Sequence, residues 1–170
     1  MSFTIRPFRP DEAALYRDIR LEGLRLHPDA LGAAFEQESL EPLPFFTARV
    51  TGNVIFGGFQ GQDVLGTAGF MAETGLKRAH KGHLWGMYVR QAARGTGLAR
   101  DLVRAVLDHA RQRVELIQLS VVATSTAARR LYESAGFEPF GIERRALKVD
   151  GRYYDEIHMA SQLGDVTDQG

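Results

Sequence analysis

The chain of 170 residues contains no cysteine, which removes disulfides, cysteine-ligated zinc and thiol nucleophiles together. It has no excess of either charge, with 21 Lys and Arg against 21 Asp and Glu. No long-range field therefore draws it to nucleic acid or to an anionic membrane, and any anion site must be built locally. No run approaches the roughly 18 apolar residues of a membrane span, and the opening MSFTIRPFRP lacks the apolar core of a signal peptide. A cytoplasmic protein is expected, with no nucleic-acid or membrane partner. Internal repeats, linkers and low-complexity segments are missing as well. What is present is ordinary for a folded protein, 44% hydrophobic and 25% charged, within the size of one domain.

Along the chain, FTIRPFRP reads as a short strand, and Leu15, Ile19, Glu22 and Leu26 recur at helical spacing up to Pro28. Residues 29–51 mix prolines, Gly32 and acids, and predict a loop followed by a short helix over 44–50. NVIFGGFQ and DVLGTAGFMA read as two strands separated by the hairpin-length turn Gly61-Gln62, with HLWGMYV, 83–89, as a third strand. By alternation along that strand, Trp85 and Met87 belong to a core face and Tyr88 to the opposite one. Leu98, Leu102, Val103, Val106, Leu107 and Ala110 form one apolar helical stripe. VELIQLSVVA, 114–123, is apolar on both faces and predicts a central strand. Ser125 or Thr124 caps a helix that Gly136 ends. Asp150-Gly151 between two alternating runs is a strong hairpin signal, and the tail 164–170 is expected to be disordered.

The segment GMYVRQAARGTGLARDLVRAVLDHA, 86–110, poses the functional question, because a strand, a glycine turn and a helix N-terminus aim unpaired N–H groups and a positive dipole end at one point. That point suits a phosphate. Gly95 and Gly97 open the backbone to a ligand, and Arg94 and Arg100 add positive charge. The Gly-Lys-Ser/Thr ending of a P-loop is absent. The dinucleotide fingerprint fails too, since Arg100 stands where its third small residue belongs and Ala123 and Thr124 stand where an acid belongs.

Arg94-Gly95-Thr96-Gly97-Leu98-Ala99 matches Arg/Gln-x-x-Gly-x-Gly/Ala, the pyrophosphate loop of the GNAT acetyltransferase superfamily. Downstream, STAARRLYESAGF resembles the same family's Asn-x-x-Ala-x-x-Leu-Tyr-Glu-x-x-Gly-Phe segment through Ala128, Leu131, Tyr132, Glu133, Gly136 and Phe137. Ser125 departs from the Asn of many relatives and keeps a hydroxyl in its place. HKGHLWGMYV and KVDGRYYDE resemble one bacterial subgroup. The resemblance covers 3–163 as a single domain and implies the GNAT fold, of class α/β (α+β): a central mixed, mostly antiparallel sheet of about seven strands with one splayed pair, flanked by about four helices.

The same resemblance implies an enzyme that moves an acetyl group from acetyl-CoA to an amine by direct attack in a ternary complex. Acetyl-CoA is then a co-substrate, no metal is expected, and a homodimer through the last strands is a further expectation. The strand 85–89 would carry a bulge where it splays from 114–123, with the acyl arm in that gap along Met87, Tyr88 and Val89 and backbone N–H groups near Tyr88 and Val89 holding the carbonyl or oxyanion. Arg94, Gly95, Thr96, Gly97, Leu98, Ala99 and Arg100 would bind the pyrophosphate, helped by Ser125 and Ala128. Tyr132 is the expected general acid, because a phenol donates to a departing thiolate of comparable basicity. Glu36, Glu38 and His83 are the first candidates for the base, with Asp155, Glu156 and His158 approaching from the last hairpin. The alternative is a non-catalytic acyl-CoA-binding sensor, which would keep the loop and have no use for Tyr132.

Overall fold

The computed structural model describes residues 2–164, so most of the expected tail lies outside the described residues. The described chain runs β1 (Thr4–Pro7), α1 (Ala13–Leu26), α2 (Phe35–Glu38), α3 (Leu43–Gly52), β2 (Val54–Gln60), β3 (Asp63–Ala72) and β4 (Lys81–Val89). It continues through α4 (Leu98–Ala110), β5 (Leu116–Val122), α5 (Thr126–Ser134), β6 (Glu138–Val149) and β7 (Arg152–Gln162). The strands form one sheet in the order β1-β2-β3-β4-β5-β7-β6. Only β4 and β5 pair in parallel, and every other neighbour is antiparallel. This is the expected mixed α/β fold, with one more helix than expected because the irregular segment after α1 closes a single extra turn, α2. Among the described residues no helix is long and apolar enough to cross a membrane.

Local chemistry accounts for the elements. The stripe of α4 is buried in full, with Leu98, Leu102, Val106 and Ala110 wholly inaccessible, and each large side chain so buried contributes roughly 1.5–3 kcal/mol. It packs with Ile117, Leu119 and Val121 of β5 and with Tyr132 and Phe137 in the larger core. A second core on the opposite face gathers Tyr16 and Ile19 of α1, Phe46 and Val50 of α3, and Phe59, Val64 and Tyr88 of the sheet. At the last hairpin Asp150 and Gly151 take φ of 50° and 77°, the two positive values that a tight primed turn requires.

One polar contact fixes the wall above the second core. Arg20 of α1 donates from Nε to Glu38 Oε2 and from Nη2 to Glu38 Oε1, each at 3.0 Å. Arg49 of α3 donates to the same Oε1 at 2.9 Å. The Arg20 and Glu38 side chains are each only 7% exposed. Burial alone would raise the Glu38 carboxyl, but the bonds from Arg20 and Arg49 outweigh it and hold it below the usual carboxylate range. Because the folded value is depressed, the stabilisation is present above the unfolded carboxylate pKa and is lost as pH falls through the folded one. We predict that Glu38→Ala lowers stability by about 3–5 kcal/mol, the usual cost of leaving one charge of a buried pair alone, read as a lower urea midpoint. The difference from the parent chain should shrink as the pH is taken down through the carboxylate range.

Candidate active site

The central parallel pair is short. β4 and β5 are in register only at Lys81 with Leu116, Gly82 with Ile117 and His83 with Gln118. Beyond these pairs 84–89 and 119–122 separate, and the sheet forks. The cause lies in β4, where Gly69 opposes Trp85 but Thr67 opposes Tyr88, so β4 carries one residue more than β3 across that interval. Gly86 adopts φ 63° in this bulge, a conformation that costs glycine little and a side chain more. The extra residue breaks the alternation expected from sequence. Trp85 and Tyr88 share the face of the second core, whereas Met87 and Val89 face α4. Trp85, not Tyr88, lines the cleft. The Tyr88 side chain is buried and donates its hydroxyl to Glu22 at 2.9 Å.

Both helices that follow the forked strands begin at its open end. After a short turn at Gln91–Ala93, Gly95 and Gly97 take φ of 73° and 91°, and Gly97 is the N-terminal cap of α4. The Thr96 hydroxyl donates to the Ala93 carbonyl and accepts from Leu98 N–H. Among the described residues no backbone carbonyl accepts from the N–H groups of Gly95, Thr96, Gly97, Ala99 or Arg100. These donors and the dipole of a 13-residue helix form an anion cradle. Arg100 stands exposed beside it. Arg94 is turned away, donating to the Val89 carbonyl and to His27 Nε2. Ser125 is the cap residue of α5 as expected, but its hydroxyl makes no capping bond and remains free. Ala128, one turn on, packs against the larger core.

On the other face, the fork opens into a cleft of about 360 Å³ lined by Arg20, His83, Trp85, Ser120 and Glu156 under the 30–33 segment. His83 Nε2 lies 2.8 Å from Glu73 Oε1. Since a carboxylate can only accept, the neutral ring carries its proton on Nε2 and presents a lone pair at Nδ1. The Glu73 carboxyl is lowered chiefly by this bond, with Arg78 and Lys81 adding to the effect. Glu156 is raised by burial first and by Glu143 second, with His158 opposing them only in part, and no ion pair involves it among the described residues.

The structure thus brings His83 and Glu156 into one cleft, keeps His158 beside them through Ser120, and separates Glu36, Glu38 and Asp155 from them. Glu36 is exposed on α2 and lines a different cavity, with Arg25, Lys148 and Asp150. Glu38 is consumed by Arg20 and Arg49, and a carboxylate so held is a poor base. Asp155 accepts from Arg144 and from the Arg145 N–H. Tyr132 is buried on α5 and edge-on to Phe137. Burial raises its phenol far above the ordinary value, so it stays protonated. Two polar residues, one in the cleft and one behind His83, were not anticipated. Ser120 sits in a run that reads as apolar on both faces, yet it is exposed into the cleft. Glu73 could have been found only from the β3–β4 register, which places its backbone beside Lys81.

A model of the acetyltransferase (GNAT) family matches residues 13–137. The N-alpha-acetyltransferase RimI of Mycobacterium tuberculosis is 34% identical over 134 residues, which is 78% of this chain and 75% of that protein. Among solved structures, a GNAT-family acetyltransferase from Streptococcus pneumoniae superposes with a TM-score of 0.86 at 19% identity, covering 96% of this chain and all of that one. The yncA protein of Salmonella typhimurium, solved with its cofactor acetyl-CoA, superposes with a TM-score of 0.80 at 23% identity, over 97% and 96% of the two chains.

The loop geometry predicts a charge effect separable from a steric one. A Cβ at Gly95 would meet no atom within 4 Å, and Asn and Asp tolerate a positive φ better than most residues. Gly95→Asp should weaken inorganic pyrophosphate binding by about tenfold or more, in a salt-dependent manner, whereas Gly95→Asn should weaken it far less. Titration followed at the amides of 95–100 checks both.

Proposed function

The chain belongs to the acetyltransferase (GNAT) family, and on that premise we propose that it transfers an acetyl group from acetyl-CoA to a primary amine by direct attack with both substrates bound. The observation that carries this reading is the fork: an anion cradle at its open end and, on the opposite face, a cleft holding an acid in no ion pair and a histidine with a free lone pair. The donors of 95–100, with Arg100 beside them, fit a pyrophosphate, and Ser125 and Ala128 border it from α5. Met87 and Val89, on the α4 face of the gap, flank the acyl arm. Acetyl-CoA supplies an acetyl group already activated as a thioester.

The protein's own groups do the rest. Backbone N–H groups near Tyr88 and Val89 are assigned to the acyl oxygen, where fixed dipoles stabilise developing negative charge. Tyr132, held protonated by burial, is assigned as the donor to the departing sulfur. Glu156 holds an arriving ammonium, which makes a cationic amine the expected acceptor. His83, turned by Glu73 so that Nδ1 is free, takes the proton that makes the nitrogen nucleophilic. A direct transfer needs no covalent enzyme intermediate, which is compatible with the lack of cysteine.

The test is thiol release from acetyl-CoA over polyamines, amino acids, aminoglycosides and short peptides, the last included because the relative RimI is an N-alpha-acetyltransferase. Tyr132→Phe should lower kcat with acetyl-CoA affinity unchanged, and an unaltered kcat removes Tyr132 from the mechanism. His83→Gln should lower kcat by about 10²–10⁴-fold, the usual scale for a positioned base, and Glu73→Gln should lower it less. Silence across the panel while acetyl-CoA still binds would favour the sensor.

A further inference from the structure

Three residues from three strands form a hydrogen-bonded chain that starts in the cleft and ends in solvent. Ser120 of β5 pairs with His158 of β7, and Ser120 Oγ lies 2.8 Å from His158 Nδ1. His158 Nε2 lies 3.1 Å from Glu143 Oε2 on β6. The polarity of this chain follows from donor and acceptor chemistry alone. Ionised Glu143 can only accept, so the neutral His158 ring holds its proton on Nε2 and offers a lone pair at Nδ1. Ser120 must therefore donate its hydroxyl proton to Nδ1, and the lone pairs of its Oγ are left for the cleft. Glu143 is 55% exposed and His158 is 31% exposed, so a proton delivered to this pair has a way out to water.

An amine that arrives as an ammonium must lose two protons to become an amide, one before it attacks and one after, when the nitrogen carries positive charge. The assignment of His83 accounts for the first. Resting on the acetyltransferase reading of this cleft, we propose that Ser120, His158 and Glu143 form a proton relay that removes the second. Ser120 Oγ accepts the N–H proton of the positively charged nitrogen while its own hydroxyl proton passes to His158 Nδ1. His158 becomes an imidazolium paired with Glu143, and the serine is left as it began. No oxidant or further reactant is required, and no bond to Ser120 other than O–H changes. Apart from Glu143, the charged group nearest His158 is Glu156, two residues along β7 on the same face, while His83 and Arg20 line the cleft that Ser120 enters.

Two measurements on the full chain test the relay. In the ligand-free protein, ring ¹⁵N shifts should report His158 as the Nε2–H form with Nδ1 accepting a hydrogen bond, and Ser120→Ala should move the Nδ1 resonance to that of an unbonded lone pair. An Nδ1–H ring, or a resonance that Ser120→Ala leaves in place, overturns the relay. With an amine that the parent chain acetylates, Ser120→Ala and His158→Gln should each lower kcat by about 10²-fold or more and leave KM for the amine within about twofold. Ser120→Thr, which keeps the hydroxyl, should restore most of the rate. An unchanged kcat in Ser120→Ala, or an acetyl adduct on Ser120 in intact-mass spectra, overturns it as well. Failure of the parent chain to acetylate any amine would count against the enzymatic reading instead, while the ring resonances decide the relay on their own.

Discussion

The site depends on an unmade interaction. A parallel pair normally continues along its whole length, because each unpaired backbone group in a buried sheet costs free energy. β4 and β5 stop after three residue pairs, and the bulge at Gly86 keeps them apart by turning β4 out of register with its other neighbour. Everything functional follows from that interruption. The fork gives a ligand with amide groups of its own two strand edges to satisfy. Because β4 and β5 run the same way, it also brings the N-termini of α4 and α5 to one end, where free N–H groups and helix dipoles favour negative charge.

The opposite face stays open for a different reason. α1, α2 and α3 cover the strands on the β1 side, and their positions are tied by the shared bonds of Arg20, Glu38 and Arg49. The Arg20 and Arg49 guanidinium groups also lie 5.5 and 5.4 Å from the Trp85 ring centroid, so the charge network braces the aromatic side chain that lines the cleft. Such a network is a costly way to gain stability, since desolvation offsets most of the attraction. Its structural consequence is positional: it fixes the wall and a cationic lining residue together.

The stripe of α4 and the Asp150-Gly151 hairpin were readable in sequence because period and turn chemistry are local properties. The loop 94–100 was readable because glycines with positive φ and a helix start leave a short, ordered signature. Tyr88 and Trp85 were misplaced because one extra residue in a bulge exchanges faces, and simple alternation was carried through a strand in which the resemblance implied a bulge and Gly86 marks one. Glu38 looked like a free acid because its partners lie 18 and 11 residues away in sequence. Ser120 was passed over because a serine within an apolar strand reads as filler until the neighbouring strand is known to part from it.

Two histidines, His83 in the cleft and His158 behind Ser120, repeat one arrangement. His83 and His158 each give Nε2–H to a glutamate and keep Nδ1 as acceptor, and they stand on the two sides of the fork, one on β4 and one beside β5. An imidazole alone can hold its proton on either nitrogen, and only the carboxylate decides which lone pair is available. Glu73 and Glu143 therefore set the direction in which each ring can take a proton, although neither lines the cleft. Their surroundings differ in a way that suits different tasks. Glu73 is surrounded by Arg78 and Lys81 and stays ionised, so His83 keeps a fixed orientation before any substrate arrives. Glu143 faces Glu156, whose carboxyl is already raised by burial and by that proximity, so a positive charge on His158 relieves repulsion between two acids. A proton moving to the β5 side thus ends where the local field favours it.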